Sequence, residues 1–166
     1  MILRRPTLAD KETVLEMMAE FEQAQSPHDG GFWETEAFSY EEWLDGNQNQ
    51  EIGINLPEGW VPAIQLVAFS RDGQAVGFLN LRLCLNDFLL EEGGHIGYSI
   101  RPSERGKGYA KESLRQGLQV AKGKNIKRAL VTCSTENPAS RAVIVSNGGV
   151  FEDVRNSVER YWIDLE

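Results

Sequence analysis

Cysteine and histidine are both scarce in this chain of 166 residues, which contains two of each. Cys84 and Cys133 lie in apolar, strand-like runs and lack the CxxC spacing of metal and redox sites. We therefore expect two buried, reduced thiols rather than a disulfide framework. With only His28 and His95 to supplement them, the chain is not expected to form a metal site.

Long hydrophobic runs are absent as well. Apolar runs such as residues 66–69 are far too short to span a bilayer. No signal peptide is evident, since Met1-Ile2-Leu3 leads directly into Arg4-Arg5. We expect a cytoplasmic protein that has no membrane partner. An apolar fraction of 41% over this length fits a single domain, residues 1–166, with a sizeable core.

Positive charge is concentrated in one segment of a chain whose net charge is −8. Residues 101–128 carry nine Lys or Arg side chains against Glu104 and Glu112. The rest of the chain is strongly acidic, which argues against a nucleic-acid partner, because such binding depends on neutralising phosphates. The acidic surface is compatible with a cationic amine substrate, and equally with a charge that only maintains solubility. The basic segment suits a phosphate-bearing ligand.

A glycine-rich turn at residues 105–110, Arg-Gly-Lys-Gly-Tyr-Ala, lies inside this basic segment. It follows a strand-like run at residues 94–100 and opens an apolar-periodic helix. The first N–H groups of such a helix are unpaired and lie at its positive dipole end, so the turn predicts a phosphate site. Lys111 stands where a dinucleotide fingerprint needs glycine, and Gly108 stands where a Walker loop needs Ser or Thr. Both of those nucleotide-binding loops are therefore excluded.

The pattern that fits the turn is R/Q-x-x-G-x-G/A, with Arg105, Gly108 and Ala110 in the defining positions. It resembles the pyrophosphate-binding turn of the GNAT superfamily of acetyl-CoA-dependent N-acetyltransferases. A buried strand at residues 126–134 and the sequence Asn-Pro-Ala-Ser at residues 137–140 resemble the second motif of that family. Residues 94–151 thus look like a complete cofactor half.

The stretch Gly-His-Ile-Gly-Tyr-Ser-Ile-Arg-Pro, at residues 94–102, is similar to that of a bacterial subgroup of predicted acetyltransferases. The subgroup implies no particular substrate. The family resemblance implies acetyl-CoA as cofactor, with its pyrophosphate on the turn and its pantetheine arm along the fourth strand and the second motif. The cofactor-binding residues it implies are Ser99, Ile100, Arg105, Gly106, Lys107, Gly108, Tyr109, Ala110, Lys111, Asn137 and Ser140.

The catalytic residues depart from the family pattern. The family's usual base precedes the defining Arg at a position that is Gly94 here. His95 has a suitable unperturbed pKa for a base, whereas strict alternation puts Glu92, not His95, on the face of Tyr98. We name His95 first and Glu92 second as candidate bases. The family's usual acid, a Tyr, is replaced by Ile144, so Tyr98 is the candidate acid.

The leading hypothesis is acetyl transfer to a primary amine of a small-molecule or peptide acceptor by direct attack in a ternary complex. A route through Cys133 has no histidine nearby in sequence to activate the thiol. The departures at positions 94 and 144 leave open a second hypothesis, a non-catalytic module that binds acetyl-CoA. A homodimer is considered only by analogy with the fold. The acceptor pocket is expected in the 27–33 loop, the 40–43 region and the loop before the fourth strand, lined by His28, Trp33, Arg82 and Glu92.

Along the whole chain, the sequence pattern predicts the order strand, two helices, three strands, helix, strand, helix and two strands. A capping box at Thr7–Asp10 starts the first helix, a short helix begins after Ser39, and residues 45–59 are polar enough for a long loop. The resemblance implies an α/β fold with a central mixed, mostly antiparallel sheet of about seven strands flanked by about four helices. The predicted strands cover residues 3–5, 61–71, 74–86, 94–100, 126–134, 150–153 and 158–163.

Overall fold

The computed structural model describes residues 1–166 and is built around a seven-stranded sheet of order β1-β2-β3-β4-β5-β7-β6. All neighbouring strands are antiparallel except β4 and β5, which run parallel. The α/β architecture and the mixed, mostly antiparallel sheet are therefore confirmed. The strands are β1 (Ile2–Arg4), β2 (Ala63–Phe69), β3 (Ala75–Arg82), β4 (Ile96–Ile100), β5 (Arg128–Ser134), β6 (Val150–Arg155) and β7 (Val158–Asp164).

Four α-helices cover the two faces of this sheet: α1 (Lys11–Gln23), α2 (Tyr40–Ile52), α3 (Tyr109–Gly123) and α4 (Pro138–Ser146). Helices α1 and α2 pack on one face through a buried cluster that includes Phe21, Tyr40 and Phe78. Helices α3 and α4 pack on the other face through a cluster that includes Leu114 and Ile144. The sheet is therefore buried on both sides, and the site described below lies at the point where its strands separate.

Helix α2 is longer than the sequence indicates. The polar composition of residues 45–59 predicts a loop, and this is wrong for the first half of that range, because α2 continues to Ile52. Ser39 Oγ accepts a hydrogen bond from the Glu42 N–H at the start of the helix, and Gly53, with φ +80°, ends it in the left-handed conformation. Packing of buried Tyr40 against the sheet stabilises a helix whose composition alone is unfavourable.

The two cysteines differ in environment. Cys133 is buried in β5, as expected, but Cys84 is exposed, which corrects the expectation of two buried thiols. The reason is that β3 ends at Arg82, so Cys84 lies in the connection that leaves the sheet. No group of three or more His, Cys, Asp or Glu side chains is arranged to hold a metal ion. None of the helices combines the length and the hydrophobicity that crossing a membrane requires.

Candidate active site

A gap between β4 and β5 forms the centre of the candidate site. The two strands are paired only at Ile96 and Val131, and beyond this pair they separate. The Arg82 N–H donates to the His95 carbonyl oxygen at 2.7 Å on the β3 side of β4. Because hydrogen-bonded residues alternate along an antiparallel ladder, the peptide groups of Tyr98 turn away from β3 and toward the gap. Main-chain donors and acceptors of β4 therefore face the gap without being paired to another strand.

The glycine-rich turn lies at the end of this gap and leads into α3. Gly106 and Gly108 have φ values of +79° and +85°, a conformation that L side chains rarely adopt. The backbone N–H groups of residues 106–111 donate no hydrogen bond within the protein. A row of unpaired donors at the positive end of a helix fits phosphate oxygens.

The basic side chains of the turn have different partners. Arg105 donates through Nε to the Ile100 carbonyl oxygen at 3.0 Å and through a terminal nitrogen to Ser26 Oγ at 2.7 Å, so it connects the turn to β4 and to the segment that follows α1. Lys107 forms an ion pair with Glu104 at 2.6 Å. Lys111 is exposed and has no ion pair. The backbone of the turn, rather than a fixed ring of cations, is thus the main feature that can hold an anion.

The second motif lies across the gap from β4. Asn137 Oδ1 accepts a hydrogen bond from the Ser140 N–H at 3.1 Å and so caps α4. The hydroxyl groups of Tyr98 and Ser140 lie 2.8 Å apart, so two residues expected at the site from separate motifs are in contact. Burial raises the pKa of Tyr98 to about 12. The Tyr98 hydroxyl therefore stays protonated near neutral pH and can donate a hydrogen bond, although the same rise in pKa makes it a weaker acid than an ordinary Tyr.

His95 holds β4 against β5. Its Nδ1 accepts a hydrogen bond from the Leu130 N–H at 2.9 Å, and its own backbone N–H donates to the Leu130 carbonyl oxygen at 2.7 Å. Gly94, with φ +66°, permits this approach, since a Cβ there would lie 2.6 Å from the Leu130 carbonyl oxygen. Burial, assisted by the nearby Arg82 guanidinium, lowers the pKa of His95 to about 4. A ring that is bonded in this way and so weakly basic fits a structural role better than that of a base.

We expect His95 to make stability sensitive to mild acid. Because its pKa is about 4 in the folded chain and 6.5 ordinarily, its contribution is fully present above pH 6.5 and is lost as the pH falls through about 4. Asn has an amide oxygen that can replace Nδ1 as the acceptor from Leu130. Denaturant unfolding of His95→Asn should therefore show a smaller loss of stability between pH 6.5 and pH 4 than the parent. An equal loss in both proteins would contradict this assignment.

Glu92 lies in a π-helical turn, Leu89–Gly93, that precedes β4, where the sequence indicated only a loop. The Thr132 hydroxyl donates to the Glu92 carbonyl oxygen at 2.6 Å and places the turn beside β5. The neighbouring Glu91 is held by Arg155 at 2.8 Å. The Glu92 carboxylate, by contrast, is half-buried and forms neither an ion pair nor a hydrogen bond. It is a free carboxylate next to the residues where β4 and β5 cease to pair.

The loop of residues 27–33 lies over β4 on the face opposite α3. Ser99 Oγ donates to the Asp29 carbonyl oxygen at 2.7 Å, so this residue, expected at the cofactor, directs its side chain toward the loop. Gln65 Nε2 donates to the Gly30 carbonyl oxygen at 2.8 Å. Gly30 has φ +80°, and a Cβ there would lie 2.3 Å from the Gly97 carbonyl oxygen, so only glycine fits this contact.

Of the other residues expected in the acceptor pocket, some lie in the loop over β4 and others belong to the core. The His28 ring stacks on Trp33, with centroids 3.7 Å apart, within the same loop. Tyr40 belongs to the buried core instead, and its hydroxyl donates to the Thr7 carbonyl oxygen at 2.7 Å, so the 40–43 region does not line the gap there. Sequence reasoning missed Asp29, although the Asp-Gly-Gly sequence at residues 29–31 was a signal for a close turn.

Comparison with solved structures places this fold among acetyltransferases. A variant of the spermidine N-acetyltransferase SpeG from Vibrio cholerae is 16% identical, with a TM-score of 0.64 over 99% of this chain and 95% of that chain. The ribosomal-protein-S5-alanine acetyltransferase of Vibrio fischeri is 16% identical, with a TM-score of 0.70 over 99% of this chain and 92% of that chain. At these identities the likeness concerns the fold.

A third solved structure is yncA of Salmonella typhimurium, assigned as an acetyltransferase and solved with its cofactor acetyl-CoA. It is 15% identical, with a TM-score of 0.63 over 99% of this chain and 94% of that chain. No curated protein sequence matches the chain. The family model described as "Acetyltransferase (GNAT) domain" matches residues 1–150. The chain therefore belongs to the GNAT family and is an acetyltransferase that uses acetyl-CoA.

Proposed function

We propose that the protein transfers the acetyl group of acetyl-CoA to a primary amine of a small-molecule or peptide acceptor, by direct attack in a ternary complex. The observation that carries this proposal is the position of the gap between β4 and β5. The turn and α4 lie on one side of it, and the 27–33 loop covers β4 on the other, so both substrates can be bound together. The names of the Vibrio enzymes, which concern spermidine and a protein alanine, agree with an amine acceptor.

The residues present fit acetyl-CoA. The unpaired N–H groups of residues 106–111 would hold its pyrophosphate, together with the exposed Lys111 side chain. Residues 98–100 on β4, with Asn137 and Ser140 across the gap, would hold the pantetheine arm. Arg105 and Tyr109 contribute by fixing the turn, through the Ile100 carbonyl oxygen and the core respectively. Bound acetyl-CoA supplies the acetyl thioester, whose carbon–sulfur bond is exchanged for a carbon–nitrogen bond.

Three groups of this chain would carry the proton transfers and the charge. An alkylammonium has no lone pair, so the free Glu92 carboxylate takes a proton from the acceptor before attack. The Tyr98 N–H, which faces the gap, donates to the oxygen that becomes negative during transfer. The Tyr98 hydroxyl, a hydrogen-bond donor to the departing sulfur, relays to it the second proton, which the nitrogen loses once the carbon–nitrogen bond has formed. His95 is assigned to holding the strands rather than to the base.

Direct transfer predicts that Cys133 is dispensable. Burial, with Glu159 as a second cause, raises the pKa of the Cys133 thiol to about 11, which leaves it protonated and unreactive. We expect Cys133→Ala to retain kcat within about threefold, and initial-rate plots with both substrates varied to intersect. Release of free thiol from acetyl-CoA should also depend on the acceptor amine. Parallel plots together with an inactive Cys133→Ala would contradict direct transfer. Binding of acetyl-CoA without any acceptor-dependent release of thiol would favour the non-catalytic module.

A further inference from the structure

Arg82, at the end of β3, is a mostly buried arginine that lacks an acidic partner. No carboxylate lies within ion-pair distance of its guanidinium. Its single hydrogen bond runs from Nη1 to the Gly93 carbonyl oxygen and is long, at 3.4 Å. Burial lowers the pKa of Arg82 below the usual arginine value, which reflects the cost of holding this charge out of water.

The other arginines of the chain differ from Arg82 in this respect. Each of them either forms an ion pair, as Arg101 does with Glu20 and Arg160 with Asp153, or is exposed. Asn47 Nδ2 is the only side-chain nitrogen or oxygen that is both shut off from solvent and without a hydrogen-bond partner. The unbonded nitrogens of Arg82 are therefore not fully shut off from solvent. Arg82 therefore offers free donors to a ligand from a position that is largely desolvated, where a charged hydrogen bond is strongest.

The guanidinium lies against β4, beside Gly97. A Cβ at Gly97 would lie 3.1 Å from Arg82 Nη1 and 3.2 Å from Nη2, so the guanidinium fills the space that glycine leaves beside the Tyr98 peptide. The acidic residue whose charge acts on Arg82 is Asp29, which is exposed in the 27–33 loop and whose main-chain carbonyl oxygen accepts a hydrogen bond from Ser99 Oγ. His95, the other titratable neighbour, is neutral near pH 7. An unpaired cation thus lies against β4 at Gly97, close enough to Asp29 for the charge of that carboxylate to act on it.

We propose that Arg82 binds a carboxylate of the acceptor, and that the acceptors of this enzyme are small amino carboxylates of the α-amino acid type. The planar guanidinium pairs with a carboxylate through two parallel hydrogen bonds, which orients the amino acid. Asp29 faces its ammonium group. With the carboxylate on Arg82, the amine is directed along β4 to the gap and to Glu92. This inference rests on the proposed function, because it names the acceptor of the same site.

The test compares each protein L-amino acid with its own α-amide, at saturating acetyl-CoA, by release of free thiol and by mass of the product. The amide keeps the shape and removes the negative charge, and its amine loses a proton more readily. We expect the acids to be acetylated at least about tenfold more efficiently, in kcat/KM, than their amides. Equal or preferred acetylation of amides, peptides or spermidine would overturn the inference and leave the proposed function standing. Failure of every amine would contradict both.

Two variants link this selectivity to Arg82. In Arg82→Gln the preference for the acid over its amide should fall to about onefold, through a rise in KM for the acid, while the Kd for acetyl-CoA stays unchanged. Arg82→Lys should restore part of the preference. The melting temperature of Arg82→Gln should not fall, since an unpaired buried charge is removed. A lower melting temperature with unchanged acid preference would show that Arg82 is structural and would overturn the inference.

Discussion

Replacing Gly108 with glutamate is expected to abolish acetyl-CoA binding and, with it, acetyl transfer. Gly108 has φ +85° and is the N-cap of α3, so a side chain strains the turn that presents the unpaired N–H groups. The new carboxylate also repels phosphate oxygens at the same place. Together these effects should cost at least about 3 kcal/mol of binding, or about two orders of magnitude in Kd measured by titration calorimetry.

Gly73→Glu is the matched control for that variant. Gly73 has a nearly equal φ of +83°, and a Cβ at either glycine meets no atom within 4 Å, but Gly73 belongs to the β2–β3 hairpin and not to the turn of residues 105–110. Backbone strain should lower the melting temperature of both variants by a similar amount. Only Gly108→Glu should lose acetyl-CoA. Retained binding in Gly108→Glu would show that the turn is not the pyrophosphate site.

Substitution of Glu92 with glutamine should have the second-largest effect. Gln keeps the shape of the side chain but cannot take a proton, so kcat near neutral pH should fall by about 10² to 10⁴, the usual contribution of a general base. The Kd for acetyl-CoA should not change, because Glu92 lies in the turn before β4 and not in the cofactor turn. Raising the pH should recover part of the rate, since more of the acceptor amine is then already deprotonated.

Glu91→Gln provides the control on the adjacent residue. It removes an ion pair with Arg155 and so tests whether damage to the turn alone lowers the rate. We expect it to keep kcat within about threefold and to lose about 1 kcal/mol of stability or less. An undiminished kcat in Glu92→Gln, or equal losses in both variants, would transfer the role of base to another group or to solvent.

Much of the fold follows from local sequence signals. The capping box at Thr7–Asp10, the Asp72-Gly73 hairpin and the alternation of the central strands have their counterparts in the structure within one to three residues at most strand and helix ends. These features are determined by neighbouring residues, which is why they can be predicted. The extension of α2 to Ile52 could not, because it depends on packing against β2 and on Gly53, which accepts the left-handed conformation.

The sequence predicts the parts of the candidate site that depend on backbone conformation better than those that depend on the surroundings of side chains. Gly106 and Gly108 mark the candidate cofactor turn directly, because the feature that matters there is the backbone conformation. The environment of His95 depends on Leu130, which is distant in sequence, so its low pKa has no local signal. The lack of a partner for Arg82 and the closeness of Asp29 likewise arise from tertiary placement. The sequence names such residues as candidates but cannot assign their roles.

The most direct test of the account is the response of backbone amides to acetyl-CoA in two-dimensional ¹H–¹⁵N NMR. The N–H groups of residues 106–111, which have no partner in the protein, are expected to show the largest shifts with both acetyl-CoA and coenzyme A. The amides of Tyr98 and Ser99 should respond further to the acetyl group. NAD and ATP should leave all of these signals in place. Unshifted amides at residues 106–111 alongside saturable acetyl-CoA binding would contradict the account.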